Sequence, residues 1–591
     1  MAGEYGIKIH NYEASTILEH NWGVRDHYEY KDAMLTNSLL LDFLKENGIN
    51  IYKGESTRDI IGLEFNYGTR SYEKEIEHLK KIGTNANTEY KNAVVKKDKH
   101  LIEKAENKRK KISELTEEAH KNKALYKEMS KEACRIWIYE NGVDVTYIDK
   151  KSTETIHYKM LFRSTGKAKK GSCMFIRDEL YDVVHDFMYM GIKLPEKNAP
   201  IVEASAYVPL ISSGIVGRIQ VDPYNILILN EVERTYRRDV VSIETNEEKH
   251  CIANWIDDYE LKNALFDGQG LIDDSIFPDW ANGYVLLRHH FTKLAAFHTN
   301  MQLFFKDWCA EHGEDYETYK VNDMFGNKHF IKDVKIITTD NAIKWIKFKD
   351  ILGGTEASAY EYWCGKVREN GCNFGVVKFS HPSKLGEYQK SSYQMNAALD
   401  ESIMEDVCKC TVDYINELKQ NEEAFKDYLR KNINFSNDYE VLLDLCEWNS
   451  DFVYSSYYRT RKTRIIDDYL LHVKSGELIQ IGDNLTIVGS PYAMLLYGVT
   501  GNPNDCDLDD TLNFEDGAIQ CFTPRFDDDE YLVGFRSPFN GRFNINHLHN
   551  HYDERLTKYF NFSKQIIAIN MIGTDFQDRN IAYTLFPLIE I

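Results

Sequence analysis

Apolar positions change their spacing several times along this chain, and each change predicts a different element. Within residues 1–68, ASTILEHNW and MLTNSLLLDFLKENG predict helices, and IIGLEFNYG predicts a strand closed by a turn. This front reads as a mixed α/β unit. From about Ser71 to Trp137 the residues become mainly Lys, Glu, Ala and Leu, which predicts two long helices broken near Gly83, Thr84 and Asn85. In the second of them Ile102, Ala105, Ile112, Leu115, Ala119 and Leu125 recur at three- and four-residue steps and form one apolar seam. Residues 69–140 are therefore expected to form a helical, coiled-coil-like hairpin. Its basic run, Lys108 to Lys111, reads either as a solvated face or as an arm toward nucleic acid.

After Gly142 the pattern shortens to strand-like runs: VDVTYID, TIHYKMLF, GSCMFI, PYNILILN, RRDVVSIET, GYVLLRHHF and VKIITT. Residues 351–470 turn mainly helical, as in YEYWCGKVREN and EDVCKCTVDYINELKQ. Strand signals return over 471–591 at GELIQIG, NLTIVG, GAIQCF, EYLVGFRS and KQIIAINMIG. The expected order is a β-rich domain at 141–350, a helical insert at 351–470 and a second β-rich domain at 471–591. The fold class is α+β.

Composition narrows the partners. A chain of 591 residues with 43% hydrophobic and 28% charged residues builds several packed cores, so disorder is not the expectation. No apolar run reaches the roughly 18 residues of a membrane span, and the start MAGEYGIKIHNYE lacks the pattern of an export signal, so a cytoplasmic protein with no membrane partner is expected. Eleven cysteines with no CxxC pair favour reduced thiols over disulfides or a cysteine-built zinc site. The net charge of −21 argues against indiscriminate coating of nucleic acid, although a basic channel within an acidic shell stays open.

Six stretches carry candidate chemistry. RSTGKAKKGS places Arg163, Lys167, Lys169 and Lys170 on a glycine-containing loop suited to phosphate or nucleic acid, but it lacks the full spacing of a P-loop. FDGQG reads as a hairpin corner in which Asp267, Gly268 and Gly270 permit positive φ. RHHFTK places Arg288 and Lys293 five apart at the end of an apolar strand, as two cations of one cavity or as surface charges. ITTDNAIKWIKF sets Lys344 and Lys347 beside Trp345, where an apolar setting strengthens attraction to a phosphate.

In GFRSPFNGRFNINHLHNHYDERLTKYF, Arg536 stands between a strand and a Ser-Pro turn. His547, His549 and His551 fall at two-residue steps, which an extended chain would turn to one side as a metal site requires. The alternative is a loop entering a helix, with Asn550 or Asp553 near its cap. Asp575 and Asp578 follow the apolar run IIAINMIG, and paired carboxylates are what Mg²⁺ takes from a protein before phosphates complete its shell.

In this order the stretches resemble the cell-type RNA-dependent RNA polymerases, whose core is a pair of double-psi β-barrels related to the two large subunits of cellular RNA polymerase. The resemblance covers roughly residues 155–580. That family sets an Asp-Gly-x-Gly turn before an Arg-x4-Lys motif, as FDGQG precedes Arg288 and Lys293 here. Its Lys-Phe segment is matched by Lys344, and its Arg-x-Pro segment by Arg536 and Pro538.

The resemblance implies two double-psi barrel domains separated by the helical insert. It implies catalytic roles for Arg288, Lys293, Lys344 and Arg536, weakly held Mg²⁺ at Asp575 and Asp578, and nucleoside triphosphates with an RNA or DNA template as partners. The family then carries an Asp-x-Asp-x-Asp loop, whereas this chain passes from TDFQDRN to IAYTLFPLIEI. The expected activity is therefore that of a truncated polymerase-like nucleotidyltransferase, weak or absent. Two alternatives remain: a non-catalytic protein that binds single strands, and a metal-dependent nuclease using the HLHNH histidines with Asp553.

Overall fold

The computed structural model describes residues 6–25, 27–52, 54–96, 99–149, 152–163, 173–195, 200–247, 249–386, 388–390, 400–434, 437–515, 518–535, 545–570 and 588–590. The chain is mixed α and β, with two sheets curled into half-barrels, which is compatible with an α+β fold and two barrel-like domains. It divides into two compact units, each built from separate stretches. The first comprises Met1–Pro223, Leu287–Lys293 and Ile343–Lys378, and the second Tyr224–Leu286, Leu294–Ala342 and Phe379–Ile591. Among the described residues no helix is long and apolar enough to cross a membrane. All eleven cysteines are free.

The first unit holds a six-stranded sheet in the order Tyr30–Thr36, Gly6–Glu13, Ser56–Glu64, Cys173–Arg177, Ser152–Arg163 and Val143–Asp149. The strands over 143–177 thus join the sheet that the N-terminal strand begins. One face is packed by Ile17, Leu18, Cys134 and Ile138 from two helices, Ala14–Asn21 and Lys131–Asn141. The second of these starts at Ser130, whose hydroxyl accepts from the Ala133 amide and so satisfies one of the open donors of the first turn.

Two long helices, Tyr72–Lys96 and Lys99–Lys121, follow the Ser56–Glu64 strand. The break expected near Gly83 does not occur, because the first helix runs through it. Gly83 lies opposite Ile112, where a Cβ would make an ordinary contact at 3.7 Å, so the helix continues through it without strain. Buried Glu75, in the first turn, accepts from Arg25 at 3.2 Å and Arg70 at 2.6 Å and anchors the hairpin's base. Gly217–Gln220 pairs antiparallel with Asn373–Phe379 over Asn373 to Val376, after the helix Glu356–Glu369 that a Thr355–Ser358 capping box opens.

The second unit contains the strand Gln269–Asp273 between a parallel neighbour, Thr292–Thr299, and an antiparallel one, Ile336–Thr339, which in turn lies parallel to Ile226–Leu229. A second sheet runs in the order Thr486–Gly489, Ile566–Ile569, Ala518–Phe522, Ile545–Asn550 and Tyr531–Phe535. One continuous core joins the two, with Leu227, Leu271, Phe297 and Ile337 packed in the same cluster as Val488, Leu495, Ile566 and Ala568. A long ribbon of Glu233–Thr245 and Cys251–Ala264 takes Leu588–Glu590 on its edge. Helices between 404 and 474 form a separate small core around Phe425, Leu429, Leu442 and Tyr458.

FDGQG is not the corner of a hairpin, since the strand before it, Cys251–Ala264, pairs with Glu233–Thr245 in a separate sheet and not with Gln269–Asp273. Asp267 and Gly268 do turn the chain at φ 41° and 77°. Gly270 serves another purpose. A Cβ there would stand 2.6 Å from the Ile337 carbonyl, so only glycine permits the strands' close approach.

Candidate functional site

Strand Tyr284–His289 delivers the first cation. Alternation along a strand sends Arg288 to the face opposite Leu287 and His289. Arg288 is only 8% exposed. Its Nη1 donates to the Leu287 carbonyl at 2.9 Å, and among the described residues the guanidinium meets no carboxylate. Burial lowers its pKa to about 10, so it stays charged at neutral pH. A buried charge without a counter-ion costs free energy that an incoming anion recovers.

The chain then turns through His290 and Phe291. Phe291 has φ 50°, a left-handed backbone that a bulky residue rarely adopts, and is held there by its buried ring, 5.2 Å from that of Phe348. Its carbonyl accepts from the Lys344 amide at 2.7 Å, and Thr292 forms an antiparallel bridge with Ile343. Lys344 opens the 3-10 turn Lys344–Phe348, which is fixed by fully buried Trp345 stacked on Trp363 at 5.7 Å. Lys344 is half-buried and Lys293 is exposed. Lys347 points elsewhere, to the Tyr207 hydroxyl at 3.3 Å.

Arg288, Lys293 and Lys344 thus lie on two segments joined backbone to backbone. Arg163 does not: it ends a strand of the N-terminal sheet, in register with Cys173. Lys167, Lys169, Lys170, Arg536, Asp575 and Asp578 lie outside the described residues.

Behind the turn is a cavity of about 580 Å³ whose lining includes Asp42, Phe43, Phe187, Arg218, His289 and His290. His290 donates from Nε2 to the Phe187 carbonyl at 2.7 Å, and burial brings its pKa down to about 4. Burial also holds the neighbouring His289, with ring centroids 5.0 Å apart, well below the usual imidazole range. Both rings are neutral at physiological pH. Each leaves Nδ1 buried without a hydrogen bond among the described residues. Phe43 stacks on Phe187 at 3.8 Å, and Arg218 closes the wall by donating from Nε to Asp42 at 2.9 Å. Sequence reasoning missed this cavity, although two adjacent histidines in an otherwise apolar strand, GYVLLRHHF, were the available signal.

In the second unit the residue after the Asp267–Gly268 turn connects the two sheets. Gln269 donates from Nε2 to the Gly489 carbonyl and accepts from the Gly489 amide at Oε1, both at 2.8 Å and both buried. In HLHNH, His547 and His549 fall on the strand Ile545–Asn550, but His549 is engaged by Asp529 at 2.8 Å and by the Tyr531 ring at 4.4 Å. Asp553 caps the helix Glu554–Tyr559 by accepting from the Arg555 amide. No group of three or more His, Cys, Asp or Glu suited to a metal ion occurs among the described residues.

No family model matches the chain, and no curated protein matches it.

Proposed function

We propose that this chain is a polymerase-like nucleotidyltransferase scaffold of the double-psi barrel kind, and that Arg288, Lys293 and Lys344 form its phosphate-binding face. The observation that carries this reading is the buried guanidinium of Arg288, which meets no carboxylate among the described residues while two lysines share its backbone framework. A triphosphate or a template phosphate is the anion that such a cluster accepts. Two half-barrel sheets are compatible with this scaffold. In this proposal Arg536 adds a further cation, Arg163, Lys167, Lys169 and Lys170 contact the nucleic acid, and Asp575 and Asp578 hold Mg²⁺.

The test is a magnesium titration with labelled nucleotides on primed RNA and DNA templates. Magnesium-dependent extension that is lost in Arg288→Met supports the reading. Extension unaffected by Arg288→Met overturns the role of the cluster. Binding of nucleotide or single strands without extension and without magnesium dependence favours the second reading, a binding protein, for which the same arginine needs no metal.

A further inference from the structure

The cavity beside His289 and His290 has a polar lining that phosphate binding does not use. Every residue of that lining belongs to the first unit. Two helices end on it: Glu46 closes Leu39–Glu46, Glu369 closes Glu356–Glu369, and both glutamates line the cavity. The C-terminal end of a helix carries the negative pole of its dipole, which favours a cation.

The side chains around the cavity have their donors engaged and their acceptors open. Asn370 donates from Nδ2 to the Lys366 carbonyl at 2.7 Å, and Asn373 donates from Nδ2 to the Asn370 carbonyl at 3.4 Å. These bonds fix the orientation of both carboxamides, and neither Oδ1 accepts a hydrogen bond among the described residues. Asp42 accepts from Arg218 at Oδ2 alone, and Glu46 has no ion-pair partner among the described residues. Asp42, Glu46 and Glu369 thus stand against only Lys45 and Arg218.

A buried group confirms that the cavity lacks a partner molecule's atoms. His289 is 1% exposed and makes no hydrogen bond through either ring nitrogen among the described residues. Its Nδ1 is sealed off, which leaves Nε2 as the nitrogen that opens on the cavity. Such a group is stabilised by whatever completes its hydrogen bond. A neighbouring cation favours the tautomer whose lone pair faces it, and burial keeps both histidines uncharged, so neither repels that cation. Phe43 and Phe187 add an aromatic wall suited to the same charge.

We infer that this cavity binds a small organic cation rich in N–H groups, an amidinium or an ammonium ion, held by the open oxygens of Asn370, Asn373 and Glu46 and by Nε2 of His289. Its volume of about 580 Å³ suits a small molecule. An anion is disfavoured there by the three carboxylates and the two helix ends. The inference does not rest on the phosphate-binding reading, which concerns Arg288, Lys293 and Lys344.

Isothermal titration of the full chain with benzamidine, benzylamine and uncharged benzamide tests it. At least one of the two cations is expected to bind at a single site per chain, about tenfold more tightly than benzamide. The tighter cation shows whether amidinium or ammonium is preferred. Asn373→Asp places a carboxylate where the open carboxamide oxygen stands and is expected to tighten cation binding several-fold without changing benzamide. Glu46→Lys, at an exposed position, is expected to weaken it several-fold. His289→Leu, on protein whose circular dichroism spectrum matches that of wild type, is expected to weaken it as well. Absence of binding by both cations overturns the inference. So does benzamide binding as tightly as the cations, or cation affinity unchanged by both Asn373→Asp and Glu46→Lys.

Discussion

The Lys344 amide donates to the Phe291 carbonyl at 2.7 Å, and this single bond sets the lysine-bearing turn against the segment that carries Arg288 and Lys293. The bond belongs to the backbone, so the lysine side chain can be removed without undoing it. Lys293→Met, at an exposed position, is expected to leave the melting temperature nearly unchanged, and Lys344→Met keeps the backbone bond to Phe291. Each is expected to weaken binding of single-stranded RNA several-fold and to reduce the salt dependence by about one phosphate contact. Fluorescence anisotropy over a salt series checks this; an unchanged slope in both variants contradicts it.

Arg288 is expected to trade stability for binding. Replacing a buried charge that meets no carboxylate among the described residues by an apolar side chain of similar length removes a desolvation cost, so Arg288→Met is expected to raise stability by about 1–2 kcal/mol. A urea melt of the protein without nucleotide reads the change. A clear loss of stability shows that the guanidinium serves the fold.

Gln269 spends both ends of its amide on buried Gly489. Gln269→Ala leaves an amide and a carbonyl unsatisfied in the core, an expected cost of about 2–3 kcal/mol. Gln269→Glu is expected to cost at least as much, since an ionised carboxylate accepts from the amide but cannot donate to the carbonyl. Denaturant midpoints for the two variants check this, and a glutamate variant as stable as wild type contradicts it.

His290 makes stability depend on acid. Its folded pKa of about 4 lies below the ordinary 6.5, so above pH 6.5 both folded and unfolded chains hold the ring neutral and the contribution is fully present. As pH falls from 6.5 toward 4, the unfolded chain takes a proton that the folded one refuses, and up to about 3 kcal/mol is lost. His289 acts in the same direction. His290→Gln keeps a donor for the Phe187 carbonyl and removes the titration, so its melting temperature is expected to fall less than that of wild type between pH 7 and about pH 4.5. Parallel falls in the two proteins contradict the assignment.

Where an element's sequence and its surroundings agree, the sequence suffices to predict it. The helices within 404–474 and the two long helices of the hairpin are legible from composition and apolar spacing, although the expected helical stretch 351–470 also holds the strand Asn373–Phe379 and the first long helix runs to Lys96 rather than breaking near Gly83. Gly270 was misread because a glycine has no side chain to say whether it turns the backbone or admits a neighbour, and only the distance to the Ile337 carbonyl distinguishes the two; Gly83 was misread because a single glycine does not end a helix whose neighbours all favour it. Lys344 could be named from its apolar setting. Its bond to Phe291 joins residues 53 positions apart, beyond any local signal. His289 and His290 were legible as residues but not as a cavity wall, since Phe43, Phe187 and Arg218 reach it from distant parts of the chain.

The most direct test of the phosphate-binding proposal is the affinity of a fluorescent nucleoside triphosphate for wild type and for Arg288→Met, measured at one salt concentration on protein shown to be folded. An affinity at least tenfold weaker in the variant, about 1.4 kcal/mol, is the expected result. Equal affinities contradict a phosphate role for Arg288.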